Sequence, residues 1–239
     1  LYGEAHPEAA AHNLRGQVWQ VYDQAGRVEN TGFDFKGNLL SAERTLAKAY
    51  RQVIDWGAAT PSDLLGNETF HTLSEYDAMD RVTRSLSPHH ETLPASEMEP
   101  VYSEAGALNE VRVKLRGATA PTSYVTNIDY DAKGQREKIE YGNGVVTYYE
   151  YDRETYRLKR LKTMGADGGK VLQDLTYTYD PSGNITEIRD DAQQTIYFNN
   201  TVVKPHSRYA YDALYRLATA TGREHATQSG VPDSKNGWE

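Results

Sequence analysis

The stretch Tyr179-Asp180-Pro181-Ser182-Gly183-Asn184-Ile185 decides how this chain is read. It reads as a strand end, a tight turn and the first residue of the next strand. An aspartate can fold its carboxylate back onto nearby backbone N–H groups. Proline presets φ for an early turn position, and glycine reaches positive φ at low cost. The β-branched Ile185 then restarts extended backbone.

The same pattern recurs along the chain. Tyr22-Asp23 leads to Gly26, Arg27 and Val28, and Phe33-Asp34 leads to Gly37, Asn38 and Leu39. Tyr76-Asp77 leads to Asp80, Arg81 and Val82, and Tyr211-Asp212 to Tyr215, Arg216 and Leu217. Tyr130-Asp131 keeps Gly134 but has Arg136 in the aliphatic place, and Tyr151-Asp152 reaches Arg157 and Leu158 with one extra residue. There are six Tyr-Asp pairs, whereas 18 Tyr and 16 Asp scattered over 239 residues would give about one, so the chain is read first as a repeat. From Asp131 onward the corner aspartates 131, 152, 180 and 212 are 21, 28 and 32 residues apart. That spacing suits one hairpin per repeat with loops of varying length, and it is too irregular for a propeller blade or a leucine-rich repeat.

Composition narrows the architecture. Only 38% of the residues are hydrophobic, and Tyr (18) far outnumbers Phe (4). Two stacked sheets need Val, Leu, Ile and Phe on their inner faces. Tyrosine suits a sheet wetted on both sides, because its ring packs on cross-strand neighbours while its hydroxyl stays hydrated. The expectation is an all-β, single-layer antiparallel sheet. A net charge of −8 gives no reason to expect a nucleic-acid or anionic-membrane partner. The absence of cysteine excludes disulfides and thiolate metal sites. No apolar run approaches the roughly 20 residues that span a bilayer. A start at Leu1 and a close at Trp238-Glu239 read as a segment of something longer.

Several stretches invite other readings. Residues 1–16 are expected to be irregular; His6, His12, Glu4 and Glu8 there match no metal-ligand spacing, and a solvated loop is the plainer account. Over 41–57, Leu46, Tyr50, Val53 and Ile54 fall on one helical face between a Ser41 N-cap and a Gly57 stop, which predicts a short helix at about 41–56. The proline-rich 87–100 is expected to be a loop, and its His89-His90 pair to be merely solvated. Val111-Arg112-Val113-Lys114-Leu115-Arg116 alternates three aliphatics with three cations. It reads either as a strand with one wet face or as a cationic stripe for an acidic partner. Gly142-Asn143-Gly144 reads as a hairpin turn, and Asp190-Asp191 as a turn in preference to a calcium site. The pattern fades after Gly222.

The Tyr-Asp-x-x-Gly-(Arg/Asn)-(Val/Ile/Leu) pattern resembles the YD, or RHS, repeat over nearly the whole chain. The strings Tyr22-Asp23-Gln24-Ala25-Gly26, Asp34-Phe35-Lys36-Gly37-Asn38-Leu39-Leu40, Tyr141-Gly142-Asn143-Gly144 and Arg189-Asp190-Asp191-Ala192-Gln193-Gln194 are similar to the RHS region of toxin-complex B subunits and related insecticidal-toxin proteins. The resemblance implies a long sheet curving as part of a hollow shell, with residues 1–239 forming one segment of that β-shell domain. It also implies a secreted protein whose shell holds a toxic C-terminal polypeptide largely unfolded. Docking on a pentameric channel would run through a separate β-propeller. The partners so implied are the rest of the shell, that toxin cargo and the channel. The motif of the family's self-cleavage centre is missing from this chain, so no catalytic residue is carried over, and neither a cofactor nor a metal is expected.

The expected function is therefore structural: a cage wall that encapsulates and shields a toxin before delivery. YD repeats also resemble segments of wall-associated proteins and of the teneurins, which makes an adhesion module for glycan or protein ligands the alternative. A hydrolase is disfavoured, because the chain has neither Gly-x-Ser-x-Gly nor a P-loop. Tyr148, Tyr149, Tyr177, Tyr179, Tyr209 and Tyr211 are candidates for the two sheet faces. Adjacent residues point to opposite sides, so Tyr148 and Tyr149 cannot both face a lumen.

Overall fold

A computed structural model describes residues 1–57, 60–198 and 201–223. The polar tail after Gly222, including Trp238-Glu239, lies almost wholly outside the described residues. The chain divides into two compact units, Leu1–Thr126 and Asn127–Glu239.

The first unit holds β1 (Gln20–Asp23), β2 (Gly26–Phe33), β3 (Leu39–Ala47), β4 (Leu65–Tyr76), β5 (Val82–His89), β6 (Glu97–Tyr102), β7 (Leu108–Lys114) and the start of β8 (Thr122–Tyr130). The second continues with β9 (Arg136–Tyr141), β10 (Val146–Tyr151), β11 (Leu158–Met164), β12 (Val171–Tyr179) and β13 (Ile185–Asp190). It is completed by β14 (Ile196–Phe198), β15 (Thr201–Val203), β16 (His206–Tyr211) and β17 (Leu217–Thr221). Fifteen strands form one open antiparallel sheet in chain order, while β14 and β15 pair with each other. Within each unit the substantial strand contacts are between hydrogen-bonded neighbours, so each unit's part of the sheet is a single layer. Such a sheet has little dry interior. Among the described residues Leu14 is the one large side chain that is fully buried. It joins Ala9 and Phe33 in a small cluster that Trp19 and Leu39 flank. The irregular N-terminal stretch is tied down there, with the Phe33 N–H donating to His12 O at 3.0 Å.

The helix expected at about 41–56 does not form. Its first part is β3, hydrogen-bonded to β2 from Gly26↔Leu46 to Phe33↔Leu39 and to β4 from Ser41↔Leu73 to Ala47↔Leu65. The rest is turn and irregular backbone. The four residues of the supposed apolar face share no environment: Ile54 is buried, but Leu46, Tyr50 and Val53 are exposed. Helix preferences differ by at most about 0.7 kcal/mol per ordinary residue, and a ladder completed on both sides outweighs them. Among the described residues the one α-helical turn, Pro61–Leu64, follows Thr60 with proline in its first turn, and a 3-10 turn spans Gly3–Ala5.

The loop expected over 87–100 is shorter than read. Strand β5 runs through Pro88 to His89, and β6 begins at Glu97 and contains Pro100. Pro88 sits where the β4–β5 register shifts between His71 and Leu73, a bulge at which a missing N–H costs little.

Candidate functional site

The repeated feature is the corner itself. At Asp180 the carboxylate Oδ1 accepts the N–H groups of Gly183 (2.7 Å) and Asn184 (2.9 Å), and Oδ2 accepts the Asn184 side-chain amide (2.8 Å). The backbone closes underneath, with Gly183 N–H donating to Asp180 O and Asp180 N–H to Asn184 O. This is a turn followed by a left-handed residue, the three-residue hairpin that ends in a bulge. Gly183 takes the left-handed position with φ +104°, and Tyr179 pairs with Ile185 across a register shift.

The same geometry recurs at the other corners. Asp34 accepts from Lys36 and Asn38, Asp77 from Met79 and Arg81, Asp131 from Lys133 and Gln135, and Asp212 from Leu214 and Arg216. Gly37 and Gly134 take the left-handed place at Asp34 and Asp131, but Asp80 and Tyr215 take it at Asp77 and Asp212 with φ near 60°. The extra residue after Asp152 moves that place to Tyr156, and the Asp152 carboxylate caps Glu154 and Thr155 instead. Asp23 makes a tighter turn: it accepts from Ala25 and Gly26 and is held by Arg44 at 2.7 Å. Tyr22 has its own setting, against the Trp56 ring and donating to Gln20.

One corner escaped the sequence reading. Tyr102-Ser103-Glu104-Ala105-Gly106-Ala107-Leu108 has the same backbone bonds, Ser103 N–H to Ala107 O and Gly106 N–H to Ser103 O, with Gly106 at φ +84°. Serine stands where the others have aspartate. Reading the template as Tyr-(Asp/Ser)-x-x-Gly-x-Leu would have found it.

The carboxylates of Asp34, Asp77, Asp152, Asp180 and Asp212 are held anionic. The Asn38 and Asn184 amides hold the Asp34 and Asp180 carboxyls below the ordinary range, and the Arg81 guanidinium does the same for Asp77. Backbone N–H groups of Thr155 and Arg216 lower Asp152 and Asp212.

The tyrosines link one corner to the next. Tyr102 donates its hydroxyl to Val82 O (2.9 Å), Tyr179 to Leu158 O (2.7 Å) and Tyr211 to Ile185 O (2.8 Å). In each case the acceptor is the first residue after the preceding corner in that unit. Twice an arginine completes the link. Arg81 lies over the Tyr102 ring and donates to Gly106 O, and Arg157 lies over the Tyr179 ring and donates to Asp180 O. Gln135 reaches Tyr156 O in the same manner.

The other candidates fall elsewhere. The strand β7 ends at Lys114, and Arg116 sits in the following turn with positive φ, so no stripe of three cations forms. Arg112 is paired with Glu110 at 2.6 Å, and Lys114 bridges Glu97 and Glu99 at 3.1 and 3.0 Å. Arg84 and Lys114 hold the Glu97 carboxyl down at about 2. Asp190 caps the turn that follows it, accepting from Ala192, while Asp191 pairs with Arg189. His89 faces His71, and His90 packs edge-on against Phe70. His12 lies 3.4 Å from Glu8. Among the described residues no three His, Asp or Glu side chains converge as a metal site would require, and no helix is long and apolar enough to cross a membrane.

No family model matches the chain. It is 35% identical over 236 residues to toxin subunit YenC2 and 34% identical over 227 to toxin subunit YenC1, both of Yersinia entomophaga. Those matches cover 95% and 90% of this chain but only 24% and 22% of the subunits, so the chain spans about a quarter of their length. Its fold is similar to that in a crystal structure of TcdB2-TccC3, with TM-score 0.71 and 33% identity over 93% of this chain and 10% of that one. It is likewise similar to the Photorhabdus luminescens Tc holotoxin pore, with TM-score 0.69 and 34% identity over 90% of this chain and 10% of that one. With its tyrosine–aspartate corners strung along one open β-layer, the chain is an RHS-repeat segment related to the subunits of toxin complexes.

Proposed function

We propose that this chain is a wall segment of an RHS cage, secreted within a toxin complex, that encapsulates and shields a C-terminal toxin polypeptide before delivery. Its work is exclusion and storage, and it makes or breaks no bond. The observation that carries this reading is the single layer with almost no dry core. A sheet of this kind buries too little on its own faces to act as a compact binding domain, but it divides one volume of water from another. Corners that tie each hairpin to the next let such a layer extend without a second sheet behind it. The partners on this reading are the rest of the shell, the enclosed polypeptide and, through a separate domain, a pentameric channel. The similarity to toxin-complex subunits over nearly the whole chain supports the assignment.

The test is limited proteolysis of the full-length protein that carries this segment, with the C-terminal peptides followed by mass spectrometry. Those peptides are expected to survive inside the intact protein under conditions that digest the same polypeptide made alone. Equal digestion in both settings would overturn the cage reading.

A further inference from the structure

In the unit Asn127–Glu239 the register sorts side chains by chemistry. On one face Glu150, Arg160, Thr176, Arg189 and His206 are successive partners across β10, β11, β12, β13 and β16. Beside them run Lys138, Tyr148, Lys162 and Asp174. Several charges on this face are paired within it. Arg160 grips Asp174 with two bonds of 2.7 Å, Arg208 holds Glu187 at 2.8 Å, and Lys138 sits 2.5 Å from Glu140.

The opposite face is different. Tyr149, Leu161 and Leu175 form one row, and Tyr177, Ile188 and Ser207 form the next. Thr147, Thr163 and Gln173 flank them. The one charged residue in these rows, Asp190, stands at a strand end with its carboxylate spent on the N–H groups of Asp174 and Ala192. Tyr149 and Tyr177 are half-buried, whereas Tyr148 on the ionic face is exposed. Burial pushes the Tyr149 and Tyr177 hydroxyls up, so they stay protonated and neutral.

We propose that the tyrosine–aliphatic face, centred on Tyr149 and Tyr177, is the one that touches the enclosed polypeptide, and that the ion-paired face with Tyr148 looks out to bulk water. The inference rests on the cage reading above and adds to it which side is inside. Two costs decide between the faces. A chain laid on the ionic face would strip water from pairs such as Arg160–Asp174, and desolvating ion pairs is expensive. A fixed pattern of charges would also select particular sequences. The neutral face offers ring surface and adaptable hydroxyls at little desolvation cost. That is the chemistry an extended, largely unfolded polypeptide can slide over without locking.

The experiment places p-benzoylphenylalanine at position 149, 177 or 148 of the full-length protein, one at a time, and looks for adducts to the C-terminal polypeptide after illumination. Adducts from 149 and 177, with loss of the adduct at 148, are the expected result. Adducts from 148, alone or together with the others, overturn the face assignment while leaving the cage intact. Adducts from none of the three overturn the cage reading along with the inference. Hydroxyl-radical footprinting of the unsubstituted protein gives an independent readout free of folding defects. Tyr149 and Tyr177 should lose labelling when the C-terminal polypeptide is present compared with a truncated protein, and Tyr148 should not; equal labelling of all three in both forms again sinks the assignment.

Discussion

Tyr179→Phe isolates the link between neighbouring corners. It removes one oxygen, the hydroxyl that donates to Leu158 O at 2.7 Å, and leaves the ring beneath Arg157 in place. A hydrogen bond of this kind is worth about 1 kcal/mol net. Leu158 is only half-buried, so water can take over its carbonyl and no large penalty for an orphaned acceptor is added. A loss of about 1 kcal/mol corresponds to roughly 2–4 °C in Tm for a chain of this length. Tyr211→Phe removes the matching bond to Ile185 O and should cost the same. The two bonds share no partner, so the double variant should lose about 2 kcal/mol, additive to within about 0.5. Tyr148→Phe is the control, because that side chain is exposed on the ionic face and a surface change of this size stays within about 0.5 kcal/mol. Thermal unfolding followed by circular dichroism compares these four variants with the unsubstituted chain. If Tyr179→Phe and Tyr148→Phe melted alike, the tyrosine link would carry no stability and the argument for it would be wrong.

Gly183→Ala should destabilise by about 1–2 kcal/mol, because φ +104° disfavours any side chain and the new methyl would lie 2.7 Å from an Arg157 nitrogen. Gly169→Ala, with neither a positive φ nor a neighbour within 4 Å, should leave the urea midpoint unchanged. The corner carboxyls of Asp34, Asp77, Asp180 and Asp212 and the carboxyl of Glu97 are all lowered in the folded chain. Their contribution is therefore present above the unfolded carboxylate pKa of about 4 and is lost as pH falls through the folded values. The urea midpoint should hold from pH 7 to about 5 and drop between about 4 and 2; a midpoint flat across that window would show that the capped carboxylates contribute nothing.

What was legible in the amino-acid order was local chemistry. The Asp180 carboxylate accepts from donors at Gly183 and Asn184, three and four residues on, so the turn is written in one short string. Repetition of that string implied hairpins, and the surplus of tyrosine over phenylalanine implied a sheet wet on both sides. The Ser103 corner was hidden because its backbone folds the same way around a different side chain. What only the tertiary structure decided involves partners far along the chain. Residues 41–47 look helical in isolation and are a strand because β2 and β4 complete their hydrogen bonds from both sides. Lys114 reads as one cation of a stripe until Glu97 and Glu99, on the neighbouring strand, neutralise it. The hydroxyl of Tyr179 finds its acceptor 21 residues back at Leu158. Contacts within a turn depend on spacing alone, whereas cross-strand contacts depend on register, and register exists only once the strands have paired.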